Sequence, residues 1–158
     1  MATVHLIHGL PGSGKTTHAR ELASQHGAVL LNHDERMIAL HGTNPPEADF
    51  VRLAHEITEV LWSETTRHVS AGNDVVLDWG FWTRASRDDA RQRIQSMGAV
   101  WVVHRMICAD ATARARAIAR SSAGTDGALT INAEAWDIFR RQFEPIAVDE
   151  KYLDVEPL

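Results

Sequence analysis

Gly9-Leu10-Pro11-Gly12-Ser13-Gly14-Lys15-Thr16 is the stretch on which the fold turns. It matches G-x-x-x-x-G-K-[ST], the signature of a phosphate-binding loop, at every fixed position. Its glycines let the backbone curl so that successive N–H groups converge on an anion. The helix expected after it adds the positive end of its dipole and unpaired amides. Lys15 then supplies a compact cation for the β- and γ-phosphates of a nucleotide, and the Thr16 hydroxyl a ligand for Mg²⁺. Gly12, Ser13, Gly14, Lys15, Thr16 and Thr17 are the expected nucleotide-binding set. The context agrees. A short β-rich run, Val4-His5-Leu6-Ile7, precedes the loop, and a helix-compatible stretch from Thr16 to Gln25 follows, closed by Gly27.

Outward from this loop, strand-like and helix-compatible segments alternate, which argues for an α/β fold with a mostly parallel sheet. Ala28-Val29-Leu30-Leu31 reads as a second buried strand, and Asn44-Pro45-Pro46 punctuates the chain before a helix. In that helix Phe50, Leu53, Ala54, Ile57, Val60 and Leu61 recur at helical spacing, with Arg52, Glu56, Glu59 and Ser63 off the stripe. Gly72 ends it, and Asn73-Asp74 turns into Val75-Val76-Leu77-Asp78, a strand finishing on a carboxylate. Ser86 with Asp89 predicts the N-terminal cap of a helix reaching Met97, stopped by Gly98. A fourth strand is expected over Val100–Ile107, then an arginine-rich helix over 111–120 capped by Asp110. Ser121 to Gly127 reads either as a surface loop or as a mobile lid. A helix from Ala133 to Phe143 and an edge strand within Lys151–Val155 complete the pattern.

The 158 residues are one domain's worth, 44% hydrophobic and 23% charged, which excludes a disordered or fibrous chain. No apolar run approaches the ~20 residues of a membrane span, and the first residues lack a secretory pattern. Cys108 is the sole cysteine, so neither an internal disulfide nor a cysteine zinc site is expected, and the reduced cytoplasm is the expected location. The nine histidines are scattered, with no HExxH and no pair beside a carboxylate, so no histidine metal site is expected. A net charge of −5 argues against a protein that grips nucleic acid mainly through phosphates.

Phosphoryl transfer to a hydroxyl needs a carboxylate to take the proton and cations to spread the transferring charge. Asp34, in Asn32-His33-Asp34-Glu35-Arg36, and Asp78 both lie just past strand ends, where a parallel sheet gathers its ligands. Each is a candidate base, and each is equally readable as a helix cap or strand-end solubiliser. Trp79, Phe81 and Trp82, in a segment ending at Arg84, either line an acceptor pocket or roof the core. Trp136, Phe139 and Phe143 fit core better than pocket. Arg114, Arg116 and Arg120 crowd one helix, and Arg116 and Arg120 share a face from which they can reach phosphates. A hydrolytic switch is disfavoured, because Trp79 rather than a water-positioning glutamate follows Asp78 and no NKxD motif occurs.

The succession GLPGSGKT, NHDER, VVLDWGFWTR, RAIAR before a loop, then Phe143-Glu144-Pro145, resembles a family of small P-loop kinases of the AAA_33 type. The family includes the kinase domain of phage polynucleotide kinase, chloramphenicol phosphotransferase and the zeta toxins. The resemblance covers residues 3 to 147 and implies a three-layer P-loop fold, a five-stranded, mainly parallel sheet flanked by helices with a lid. It implies one kinase domain over 1–158, an acceptor-side helical segment over about 33–73 and a lid over about 116–131. It further implies ATP and Mg²⁺, with Asp34 as the base and Arg120 and Arg116 reaching the phosphates. Asp78 and Arg84 would face the acceptor, alongside Arg36, Trp79 and Trp82. Phe143-Glu144-Pro145 would lie near the nucleotide base. Met37 stands where the polynucleotide kinase has an arginine, and Trp79 where it has a threonine. Both differences favour a small-molecule hydroxyl over a polynucleotide end, leaving the latter and a slow ATPase switch as the alternatives.

Overall fold

In the computed structural model, residues 1–122 and 129–157 are described. Among them are five strands, β1 (Thr3–His8), β2 (Val29–Asn32), β3 (Val75–Gly80), β4 (Val100–Met106) and β5 (Leu153–Val155). The helices are α1 (Lys15–His26), α2 (His33–His41), α3 (Glu47–Ser70), α4 (Arg84–Ser96), α5 (Asp110–Ser122) and α6 (Ala133–Gln142). The strands form one parallel sheet in the order β2-β3-β1-β4-β5. β1 lies between β3 and β4, so successive connections leave it in opposite directions and open a crevice at its carboxyl end.

Both faces of the sheet are covered, as a parallel sheet requires. Ile7, Val76 and Met106 meet Ala19, Leu22 and Ala23 of α1 on one face. On the other, Val4, Leu6, Leu31, Leu77 and Val103 pack against Leu53, Ile57 and Leu61 of α3 and Ile94 of α4. Every second residue of β1 therefore serves a different layer. A smaller cluster, Leu10 with Ala113, Ala117, Ile131 and Trp136, seats α5 and α6 against the phosphate-binding loop.

Local chemistry sets the element ends. Asn32 caps α2 by accepting from the Glu35 N–H at 2.8 Å, and Pro46 precedes α3. The start of α4 differs from the Ser86–Asp89 expectation. Thr83 is the cap, its hydroxyl accepting from the Ser86 N–H at 3.1 Å, and the helix begins at Arg84. The β-branched Thr83 holds the extended backbone that a cap requires (φ −100°, ψ 151°). Asp110 is already the first residue of α5, and β4 ends at Met106, one residue short of the expectation.

The histidines are scattered in sequence but not in space. His104 on β4 lies 3.0 Å from His5 on β1 and 3.2 Å from His18 on α1, nitrogen to nitrogen, and the His26 ring is 5.5 Å from that of His5. Burial first, then the neighbouring His5, His18 and His26 rings, pushes the His104 imidazole down to about 3. Among the described residues no group of three or more His, Cys, Asp or Glu side chains is arranged to hold a metal ion. No described helix is long and apolar enough to cross a membrane.

Candidate functional site

The phosphate-binding loop joins β1 to α1 at the crevice. Gly12 and Gly14 have φ of +84° and +91°, which L side chains rarely adopt, and a Cβ on Gly12 would run into the Ala113 carbonyl of α5. No side chain caps α1, so the first amides of the helix are left for an anion. The outer carbonyls of the loop are tied down. The Trp82 indole N–H donates to Gly9 O at 3.0 Å, Lys15 Nζ to Leu10 O at 3.0 Å, and the Trp136 indole N–H to Pro11 O at 3.0 Å. Two indoles from distant positions and the loop's own lysine thus hold it in its cradle shape.

Beside the loop, Thr16 Oγ1 donates to Asp78 Oδ2 at 2.8 Å, and Asn32 Nδ2 donates to the same oxygen at 2.6 Å. A hydroxyl and a carboxylate in contact are the hard oxygen donors that suit Mg²⁺, whose remaining positions phosphate oxygens and water would fill. Burial raises the Asp78 pKa above its ordinary value, and Lys15 and the Thr16 hydrogen bond work against that rise. Burial likewise lowers the Lys15 pKa, opposed by Asp78 and Asp34. The two form a mutually compensating pair at the crevice floor.

A cavity of about 250 Å³ runs from this floor to the carboxyl ends of β2 and β3. Gly12, Gly14, Lys15, Thr16 and Thr17 line its loop side. Asn32, His33, Asp34, Asp78, Trp79 and Trp82 line the other, with Phe50 and Ala54 of α3 and Phe139 of α6. Arg120 of α5 also reaches this cavity, and its buried Nε has no partner among the described residues. His33 is fixed by contacts of Nε2 with Ala54 O (3.0 Å) and Thr58 Oγ1 (3.1 Å).

The cavity therefore brings together Gly12, Gly14, Lys15, Thr16, Thr17, Asp34, Asp78, Trp79, Trp82 and Arg120. Other residues singled out in the sequence lie elsewhere. Ser13 is buried behind the loop, in a hollow lined also by His8, Cys108 and Phe143. Arg116 shares with Arg120, Thr17, Glu156 and Pro157 an adjoining hollow on the far side of the loop. Arg36 makes a two-pronged pair with Glu64 (2.9 and 2.9 Å), and Arg84 another with Asp149 (2.9 and 2.9 Å) while also bonding Asp88. Neither arginine lines the cavity. Arg114 pairs with Asp137. Of the aromatic trio expected in the core, Trp136 is there, Phe139 lines the cavity, and Phe143 stacks on His8 at 4.7 Å. Of the segment expected as a lid, residues 123–128 lie outside the described residues.

Two supports were invisible in the sequence. Asn32 joins the cap of α2 to the orientation of Asp78, a double role that only its position at a strand end beside another strand end creates. Arg87 and Glu150 form an ion pair with both side chains fully buried, Nε to Oε1 at 2.8 Å, joined by Arg91. Arg87 also donates to Phe81 O (3.0 Å) and Glu144 O (3.1 Å), so it fastens the loop that carries Trp82. Burial alone would raise the Glu150 pKa, yet the Arg87 and Arg91 bonds and the Ala147 N–H hold it at about 2. Nothing at residue 87 distinguishes this arginine from the neighbouring ones of an exposed helix.

A family model described as an AAA domain matches residues 4–146. Among curated proteins, none matches the chain. Among solved structures, the Pnkp1/Rnl/Hen1 RNA repair complex contains a chain with 18% identity and a TM-score of 0.73, over 89% of this chain and 43% of that one. Kti12 of Chaetomium thermophilum, solved with ADP-AlF3, has 18% identity and a TM-score of 0.72, over 97% and 87% of the two chains. A sugar kinase from Janibacter sp. HTCC2649 has 17% identity and a TM-score of 0.68, over 99% and 86%. At these identities the likeness is one of fold.

Proposed function

The chain belongs to the AAA-domain family of P-loop, kinase-like proteins, and from that premise we propose that it is an ATP-dependent kinase acting on the hydroxyl of a small molecule. The observation that carries this reading is the single cavity in which Lys15, Thr16 and Arg120 share space with Asp34. Phosphate ligands and a free carboxylate in one enclosed volume are what transfer to an alcohol needs. Residues 1–158 read as one kinase domain, with 33–73 as its acceptor side.

In this reading the loop amides, Ser13 among them, hold the nucleotide phosphates with Lys15. Thr16, with Asp78 behind it, would hold Mg²⁺, which when bound neutralises charge on the phosphate oxygens. Asp34 is the base. Asp78 Oδ2 already accepts from Thr16 and Asn32, and the side chain is 3% exposed. Asp34 accepts no hydrogen bond among the described residues and lines the cavity, so its lone pairs are available. The acceptor oxygen forms its bond to the γ-phosphorus as its proton passes to Asp34. The bond from the γ-phosphorus to the β–γ bridging oxygen breaks, and ADP leaves with that oxygen. Arg120, with Arg116 nearby on α5, offsets the charge spread over the transferring group. Trp79 and Trp82 form the acceptor wall. Arg36 and Arg84 contribute by fixing α3 and the 144–150 segment.

Radiolabelled ATP with Mg²⁺ and a panel of hydroxyl compounds tests the proposal, with Lys15→Ala as the blank. A phosphorylated acceptor identified by mass spectrometry is the expected result. ADP release that no acceptor stimulates would point to a hydrolytic switch.

A further inference from the structure

We propose that the acceptor is an uncharged alcohol carrying a flat ring, an inference about the acceptor side of the cavity that rests on the kinase reading above. The first observation is the wall. Phe50, Trp79, Trp82 and Phe139, with Ile131, line the cavity away from the loop. Trp79 is held from behind, edge-on to Trp62 at 5.6 Å and 88°, and tilted against Phe81 at 5.0 Å. Trp82 is held by its bond to Gly9 O and lies 4.9 Å from the Phe139 ring. Rings locked in this way offer stacking surface without the entropy cost of ordering them on binding.

The second observation is charge. The cations lining the cavity, among the described residues, are Lys15 and Arg120, both on the phosphate side. Asp34 and Asp78 line it as well. The arginines nearest in sequence to the acceptor side are spent, Arg36 on Glu64 and Arg84 on Asp149 and Asp88. The segment outside the described residues, Ala123-Gly124-Thr125-Asp126-Gly127-Ala128, contains no cation. An acceptor bearing a phosphate or carboxylate would therefore enter unpaired, beside two carboxylates and the nucleotide phosphates, at a large desolvation cost. A ringless polyol could bond Asn32, His33 and Asp34 but would leave the indole and phenyl faces of the wall uncovered. A cavity of about 250 Å³, shared with the transferring phosphate, fits one ring system rather than a polymer end.

Four matched probes test this: para-methylbenzyl alcohol (neutral ring), para-hydroxymethylbenzoate (anionic ring), para-aminomethylbenzyl alcohol (cationic ring) and glycerol (neutral, ringless). Phosphate transfer is measured with ATP and Mg²⁺, and binding without nucleotide by saturation-transfer NMR. The neutral ring is expected to exceed the anionic ring and glycerol in kcat/KM by at least ~10-fold. Trp79→Ala should raise its KM by ~10-fold with the KM for ATP unchanged, and Trp79→Phe should restore it. Transfer to benzoate or glycerol at equal efficiency, or preference for the amine, overturns the proposal while the kinase reading stands. Binding of the neutral ring above the other three, without transfer to any probe, overturns the proposal, since the ring is then a ligand and not an acceptor, and counts against the kinase reading as well. If no ring-bearing probe binds or reacts, the proposal is overturned.

Discussion

The two halves of the cavity are built in opposite ways. The proposed phosphate half comes chiefly from one run of chain, residues 9 to 17, shaped by two glycines at positive φ and the bare start of α1, with Arg120 of α5 added to it. The proposed acceptor half is gathered from α2, α3, the end of β3 and α6, elements whose lining residues lie more than a hundred positions apart. Phosphates are the same in every nucleotide, so backbone amides arranged by a short motif suffice to bind them. An acceptor is recognised by shape and apolar surface, which side chains from several elements must supply together. Binding chemistry and specificity are therefore encoded at different ranges along the chain.

Substitutions that separate the halves should show effects of graded size. Asp34→Asn removes the base from the acceptor half and should lower kcat by ~10²–10⁴-fold, with the KM for ATP little changed in steady-state assays. Lys15→Ala acts on the phosphate half. It should lower transfer by ~10²–10³-fold, comparable with losing one preorganised charge-stabilising donor, while NMR still detects acceptor binding. Equal loss of acceptor binding in both variants would break the division.

Acid should weaken the supports of both halves. His104 lies in the chain of rings beneath α1, and His8 donates from Nδ1 to Phe81 O beneath the acceptor loop. Their pKa values are held at about 3 and about 4, chiefly by burial, against an ordinary 6.5. Below pH 6.5 the unfolded chain thus binds protons that the folded chain refuses, so stability falls as pH drops from 6.5 toward 4 and 3. At pH 5 each ring costs about 2 kcal/mol, and thermal melting should show a clear drop from pH 7.5 to 5 with little change between 7 and 8. Glu150, held at about 2, adds a further loss from its ordinary 4.5 downward. The smallest effect belongs to Trp82→Phe, which keeps a ring but removes the bond to Gly9 O. It should cost about 1 kcal/mol in denaturant unfolding, and it sharpens the comparison because this indole belongs to both halves.

Where the sequence was legible follows the same division. The loop, the alternation of strands and helices, the stripe of α3 and the edge strand were all written in local pattern, and the sheet agrees with them. Asp34 and Asp78 could be brought toward one site because strand ends in a parallel sheet converge. Their difference could not be read, since it depends on Asn32 and Thr16 both reaching Asp78 across strands. Arginines were misleading for a physical reason. Arg36 and Arg84 sit beside chemistry-bearing residues in sequence, yet carboxylates 28 and 65 positions away claim them. The histidine chain was hidden in the same way, His5 and His104 being 99 residues apart.

The most direct test of the joined cavity is a single-turnover reaction of ATP and Mg²⁺ with a neutral ring-bearing alcohol, following ADP and phosphorylated alcohol together in the native chain and in Asp34→Asn. The predicted result is equal amounts of ADP and phosphorylated alcohol in the native chain, and loss of both by at least ~10²-fold in the variant. ADP formed at the same rate in both proteins, with no phosphorylated alcohol in either, would contradict the account.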